Sequence, residues 1–556
     1  MSNGEYWTKL MQRRLSRRRI LQGGAAIGAG LWVGSTLGCG GSKEETQGGT
    51  TPKAGASTTT AAQPKSGGVL VRRDVADPRS FDPDLETTPY ASFYTTLTSN
   101  NLVKFDRPSL KIIPDLADSW EQPDDVTYIF KIHPGVKFHN VPPANGREFT
   151  AEDAKFSIER IYTDQPIFVH AYYFKGEVAK VEVVDKYTVK FTTNAPYAPF
   201  LNYIANPWST MKLREAVERD GDLKTTAIGT GPFILKSYTK GVEGVLVKNP
   251  DYFKKGKPYL DELHNRYIPD PTTAMSMFVG GELHAFGVDW SLESQLRKQM
   301  PNATYIEKVE SLYPFMLRTQ PWDDQRPHKP PMDNLKVRQA IQYATDKQEY
   351  IDVAMGGKGW QMVGMVAPSR KPWALPDSDQ TKQDIPKAKQ LMAEAGYPNG
   401  FKVELVTTNI TSMQDSSQVT KGQLAKIGID VDIKLMEDAQ YRNVVYGFNY
   451  MLNLHNMLGN SEPEDYFKPY YGANATYYRW GDKDLQAKVA AQSRIMDPEK
   501  RKQAIWEIQR IVQQQVPQVP LYVAYGTTCL QPYVKGYEAN WNQYDLSHFE
   551  DVWLDK

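Results

Sequence analysis

Between Phe401 and Leu435 the sequence spells a strand, a helix and a second strand, and this order constrains the fold more than any other stretch. Residues 401–406 read as a strand, 418–427 as a helix, and Ile429, Val431, Ile433 and Leu435 alternate as the next strand. Strands joined through a helical crossover pair parallel, because a hairpin needs only a few residues of turn. The class is therefore α/β. Two more helices are expected upstream. Asp333 caps a stripe of Leu335, Val337, Ala340, Ile341 and Ala344 that ends at Gly356-Gly357. Asp384 begins another, with Pro386 in its first turn and Gly396 just beyond its end.

Toward the N-terminus the text turns to hairpins. Residues 68–73 read as a first strand and 127–132 as another. Residues 178–193 read as a hairpin turning at Asp185-Lys186, and 231–236 with 245–248 as a second across Gly241 to Gly244. Thr150-Ala151-Glu152-Asp153 is a capping-box variant, with Asp in place of the usual Glu, leading into a helix over 154–162. A chain of 556 residues is too long for one core, so several structural units are expected. Aromatics reach 12%, with 32 Tyr and 12 Trp. Two readings stand: large filled cores, or a binding cleft lined with rings.

The first forty residues read as an address rather than a fold. A basic stretch from Arg13 to Arg19 precedes a weakly apolar run from Ile20 to Leu37, ending at Cys39. Ser16-Arg17-Arg18-Arg19-Ile20-Leu21-Gln22 resembles the twin-arginine export motif, with Arg17 and Arg18 as its pair. Thr36-Leu37-Gly38-Cys39 resembles a lipoprotein box in which Cys39 is acylated, with Thr36 where leucine is usual. A plain signal peptide with an incidental Cys39 is the other reading. Residues 1–39 are therefore expected to be a signal peptide. Residues 40–67, built of Gly, Ser, Thr, Ala, Lys and Gln, cannot offset their ordering entropy and are expected to be a disordered linker.

Several functions are excluded by what the sequence lacks. A net charge of +1 gives no basic face for nucleic acid. The only cysteines, Cys39 and Cys529, stand in unlike contexts, so neither a disulfide nor a cysteine zinc site is expected. There is no G-x-S-x-G elbow, H-E-x-x-H, P-loop lysine or G-x-G-x-x-G fingerprint, and Gly356-Gly357-Lys358-Gly359 lacks phosphate-loop spacing. No catalysis, cofactor or resident metal is expected.

The mature text resembles a known family over its whole length. The densest stretch is Pro114-Asp115-Leu116-Ala117-Asp118-Ser119-Trp120-Glu121, continuing through Thr127 to Ile132, Gly135 to Asn140 and Gly146 to Asp153. Ser80-Phe81-Asp82-Pro83, Gly229-Thr230-Gly231-Pro232-Phe233, Asn249-Pro250-Asp251-Tyr252-Phe253, Val337-Arg338-Gln339-Ala340 and Val516 to Tyr522 follow in order. These segments resemble the extracellular solute-binding proteins of peptide- and nickel-type ABC importers, solute-binding family 5. The resemblance implies a two-lobed periplasmic-binding-protein fold (type II, cluster C-like) with an inserted β-rich subdomain. Lobe one would take 68–310 and 516–556, with 101–225 inserted, and lobe two 311–515. It further implies a monomer that captures a small solute by hinge closure and passes it to permease and ATPase subunits. The protein would be exported, in the periplasm or on the outer face of the cytoplasmic membrane, anchored as a lipoprotein. Peptide-like solutes are the family's default; nickel chelates, oligosaccharides, or a sensor without transport are alternatives.

Within this frame Trp120, Phe130 and Phe138 are expected in the core, and Gly229 and Gly231 at a tight backbone crossing. The ligand segment is sought between Leu454 and Pro463. Relatives that bind free peptides carry an aspartate four residues before the matching proline, which pairs with the peptide's ammonium; here that position is Gly459. Glu462 is a substitute from a shifted loop. His455 and Asn456 lie in the same segment; the eight histidines are scattered, so His455 is read as a hydrogen-bonded histidine rather than a metal ligand. Tyr477 and Arg479, beside Tyr478 and Trp480, read equally as a clamp on an anionic or planar ligand or as packing. Arg370 and Trp373, in a proline-flanked loop, and Tyr90, in lobe one, complete the candidate ligand contacts.

Overall fold

The computed structural model describes residues 63–86, 88–107, 109–162, 170–308, 314–457, 462–538 and 547–556. The expected signal peptide, Arg17, Arg18, Cys39, most of the linker and Gly459 lie outside these.

Three sheets organise the chain. The first has seven strands in the order Thr304–Lys308, Gly526–Leu530, Ala285–Val288, Val69–Asp74, Glu262–Tyr267, Glu243–Lys248 and Phe233–Thr239. Val69–Asp74 pairs parallel with both of its neighbours. The second has six strands, Gly359–Gln361, Gln518–Ala524, Phe315–Thr319, Leu452–Asn456, Phe401–Thr408 and Ile429–Met436. Here Phe401–Thr408 runs parallel to Ile429–Met436 over eight residue pairs, as the strand–helix–strand text demands. The third, four-stranded and antiparallel, runs Ala117–Asp124, Thr127–Ile132, Thr188–Thr193, Val178–Asp185. The helix Ala151–Tyr162 packs on it, its core shared by Phe130, Phe138, Phe149 and Ile158. Phe130 and Phe138 are fully buried and Trp120 packs partly buried against the same cluster.

At Gly229 and Gly231 a Cβ would overlap the backbone of Thr98 and Ser99, so two chain segments cross where only glycine fits. In the capping-box variant Thr150 donates both its backbone N–H (3.0 Å) and its hydroxyl (3.2 Å) to Asp153.

Four local expectations are corrected. The helix after Pro331 is capped by Asn334, whose side chain accepts from the Lys336 N–H, not by Asp333. It ends at Ala344 rather than at the glycines. Asp346 accepts from the Gln348 N–H (2.9 Å) and opens a separate helix, Lys347–Ala354, because its short side chain competes for backbone donors. The crossover helix starts at Thr411, not 418, since its first buried positions include Ser416, Ser417 and Thr420, which carry no apolar period. The strand Gln518–Ala524 belongs to the second sheet, so the chain returns to the first at Tyr525 rather than at 516.

Candidate functional site

The three adjacent parallel strands of the first sheet end together, and their C-terminal ends open into a cavity of about 550 Å³. Ligands in open α/β sheets sit at such strand ends. Asp74, Val75, Tyr90, Pro269, Asp289 and Thr527 are among its walls. Arg73 stiffens the rim: its guanidinium donates to the carbonyls of Ile268 (2.7 Å), Pro269 (3.0 Å) and Gly287 (3.3 Å), tying the exits of two neighbouring strands. Tyr90 stands in the first turn of the helix Pro89–Thr98, half-buried. Lys358, from the second sheet's side, pairs with Glu293 and donates to Thr527 Oγ1 (3.2 Å) beside this cavity.

Elsewhere, residues 172–203, packed with the third sheet, meet the segment 462–468. Tyr172 donates to Asp465 Oδ1 (3.0 Å), Tyr197 to Glu464 Oε2 (3.1 Å), and Tyr203 to Glu464 (3.3 Å) and Asp465 (3.1 Å). Asn202 donates to Glu462 Oε2, and the Ala198 N–H donates to the Ser493 carbonyl (2.8 Å). Burial, then the nearby Glu462 and Glu177 carboxylates, holds the Glu464 carboxyl above its ordinary range against the pull of Lys468 and Arg501; burial pushes all three phenols up. At the rim Glu177 pairs with Lys468 (3.3 Å) and Arg494 (2.6 Å). A second cavity, about 790 Å³, lies in this junction between Tyr172 and Glu177 on one side and Lys468, Tyr477 and Arg494 on the other.

The sequence-named residues divide among these places. Tyr90 lines the first cavity and Tyr477 the second. Glu462 is 1% exposed and already satisfied by Arg501, Asn202 and the Glu464 N–H, so it is part of the junction rather than a spare carboxylate. His455 is buried within its strand, where its Nδ1 meets the Tyr441 hydroxyl (2.8 Å); burial, then the Arg318 charge, drives its pKa well below the usual value. Asn456 ends that strand opposite Phe315. Arg370 is buried against Tyr466, and Trp373 stacks under Arg501 with its carbonyl accepting from Gln509. Arg479 pairs with Asp323 (2.9 Å) and lies over Phe448. The structure thus does not gather the eight into one pocket.

Sequence reasoning missed Arg73, Tyr172, Tyr197, Asn202, Tyr203, Glu464 and Asp465. A signal was present for some: the acidic run Glu462-Pro463-Glu464-Asp465, and the ring-and-proline run Pro196-Tyr197-Ala198-Pro199. Among the described residues no cluster of three His, Cys, Asp or Glu is placed to hold a metal, and no helix is long and apolar enough to cross a membrane. Cys529 is a buried thiol whose pKa burial pushes up to about 12.

Comparison with known proteins matches this architecture. The profile of the bacterial extracellular solute-binding proteins, family 5 Middle, matches residues 111–478. Heme-binding protein A of Haemophilus influenzae is 28% identical over 510 residues, covering 86% of this chain and 91% of that protein. The dipeptide-binding protein of Pseudomonas aeruginosa is 29% identical over 485 residues, covering 81% and 89%. The ABC transporter-associated periplasmic binding protein DppA from Helicobacter pylori, solved with the peptide STSA, superposes with a TM-score of 0.74 at 28% identity, covering 88% of this chain and 99% of that one. The chain is a two-lobed α/β protein and belongs to the bacterial extracellular solute-binding proteins of family 5.

Proposed function

We propose that the protein is the substrate-binding component of an ABC importer, acting without catalysis and capturing a small solute between its lobes. The observation that carries this reading is a strand-end cavity in one sheet together with a separate junction made largely of hydrogen bonds that water can replace. In this reading the lobes are 68–308 with 526–556, and 314–524, and the third sheet is the core of the inserted subdomain. The twin-arginine motif at Arg17 and Arg18 exports the protein and Cys39 anchors it by lipid, with 40–67 as the tether, as a monomer serving a permease and ATPase.

The solute is peptide-related, as the names of the dipeptide-, di/tripeptide- and glutathione-binding relatives suggest. It is not held by a free α-ammonium in the usual way, because Gly459 stands where the pairing aspartate would, and a buried ammonium without a carboxylate is costly. Thermal unfolding of residues 63–556 against peptides, N-blocked peptides, chelates and oligosaccharides tests this. A solute at 100 times its Kd adds about 2.7 kcal/mol. A shift for N-blocked as well as free peptides supports the reading. A shift that vanishes on blocking the amine overturns the ammonium argument, and no shift with any class after refolding overturns the peptide assignment.

A further inference from the structure

In the middle of the second sheet, three neighbouring strands carry a polar rung. Arg318 stands directly opposite Asn453 on one side and Gln518 on the other, so all three side chains project from the same face. All three are 0% exposed. Met316 precedes Arg318 on that face, while Phe315 and Leu317 on the other join the helix-covered core.

Arg318 uses little of its hydrogen-bonding capacity. Its Nε donates to Gln518 Oε1 (3.1 Å), and the guanidinium lies 5.1 Å from the ring centre of Tyr470 and 5.7 Å from that of Tyr478. Nη1 and Nη2 have no hydrogen-bond partner among the described residues, and no carboxylate there pairs with the charge. The Tyr450 hydroxyl, also buried, lies within reach of the Arg318 side chain and has no other partner among the described residues. Arg442 adds a second positive charge that acts, with Arg318, on Tyr441 and His455. Asn453 spends its amide on the Val406 carbonyl and the Tyr441 hydroxyl, which in turn meets His455. His455 is held neutral by its burial.

Two other buried cations carry carboxylates, whereas Arg338 and Lys347 bond to backbone carbonyls. Arg160 has Asp82 and Asp84, and Arg501 has Glu462. A fully desolvated guanidinium with four idle N–H groups is expensive unless a negative charge accompanies it. Rings supply only part of that compensation.

We propose that Arg318 and Tyr450 form a buried site for a small monovalent anion of halide size, inside the second lobe. The anion accepts from Nη1, Nη2 and the Tyr450 hydroxyl. Arg318 stands opposite Asn453, two residues before His455 on the neighbouring strand that runs into the segment sought for the ligand. The anion acts as an integral counter-ion for the lobe rather than as a solute.

Sodium bromide is the probe. Crystals of the protein soaked in bromide are expected to show an anomalous peak within hydrogen-bond reach of Arg318 Nη1 and Nη2. Tm at constant ionic strength is expected to climb as bromide replaces gluconate. Arg318→Met is expected to lose that climb, and Tyr450→Phe to shift it severalfold toward higher bromide. The proposal is overturned by the absence of a peak at Arg318, by a peak with no bromide dependence of Tm, or by an undiminished dependence in Arg318→Met. Should Arg318→Met not fold, the wild-type peak and the Tyr450→Phe shift decide alone, and failure of either overturns the site.

Discussion

Arg160 and Tyr203 belong to the same inserted subdomain, one facing the first lobe and the other the second, and they hold their neighbours by different chemistry. On the first side, full charges cross. Arg160 pairs with Asp82 and Asp84, Asp84 also pairs with Lys212 (3.2 Å), and none of the four is more than 7% exposed at its side chain. His170 and His139 add bonds to the Glu86 and Gly231 carbonyls there, both 3.1 Å, and the glycine crossing at Thr98 closes the gap. On the second side the interior bonds come from neutral donors. The charge of Glu462 is balanced by Arg501 and that of Glu464 by Lys468, each within the second lobe itself. Among the described residues only the rim pairs of Glu177, with half-exposed Lys468 and Arg494, carry charge across. Separating the first junction would strand buried ions. Separating the second trades phenol–carboxylate bonds for water, at a net of about 1 kcal/mol apiece. One junction is permanent and the other can cycle.

The comparison breaks most readily at Arg160. Arg160→Met leaves two buried carboxylates facing one lysine and is expected to cost about 3–5 kcal/mol in urea unfolding; a loss below 1 kcal/mol would show that the first junction is no stronger than the second. Acid attacks the same junction. Burial pushes His139 down to about 4 and His170 down to about 3, so between those values and the ordinary 6.5 the unfolded chain binds more protons than the folded one. Stability contributed by the neutral rings is full above about 6.5 and is lost as pH falls through that window, by about 1.4 kcal/mol per pH unit for each ring. Urea midpoints at pH 7 and pH 5 measure this, and His139→Gln should flatten the slope.

The second junction should respond in shape rather than in stability. Tyr197→Phe with Tyr203→Phe is expected to cost no more than about 2–3 kcal/mol in unfolding. It should enlarge the radius of gyration of the solute-free protein in small-angle scattering; unchanged scattering would mean that these hydroxyls do not govern closure. The smallest effect is at Glu464. Its carboxyl is raised by burial, so its contribution favours the closed form below the ordinary carboxyl pKa and fades as pH rises through the raised value. Glu464→Gln should remove that pH dependence of closure while leaving unfolding at pH 7 nearly unchanged.

The permanent parts were the legible ones. The hairpin at 178–193, the parallel pair at 401–436 and the glycine crossing follow from local rules, since alternation, crossover length and the absence of a Cβ each act over a few residues. The helix from Thr411 was misjudged at its start because buried Ser416 and Thr420 bond to Tyr522 and Tyr350 across the core, a partnership no periodicity announces. The site was harder for the same reason at longer range. Glu462 drew notice as an acid near a proline, but its partners Asn202 and Arg501 lie far away in sequence. Arg479 and Tyr477, two residues apart, end on different walls, one tied to Asp323 and one facing the junction cavity.

The strand Gly526–Leu530 sits inside the first sheet, between Thr304–Lys308 and Ala285–Val288, although it is among the last segments of the chain. Thr304–Lys308 has no other partner in that sheet. During synthesis the first lobe therefore waits, holding an open edge beside Ala285–Val288, for on the order of 10–40 s at about 5–20 residues per second. The second sheet waits almost as long, since Gln518–Ala524 lies inside it between Gly359–Gln361 and Phe315–Thr319. A chain that stops before Gly526 leaves an unpaired edge in the first sheet beside Ala285–Val288, open to pairing with another chain.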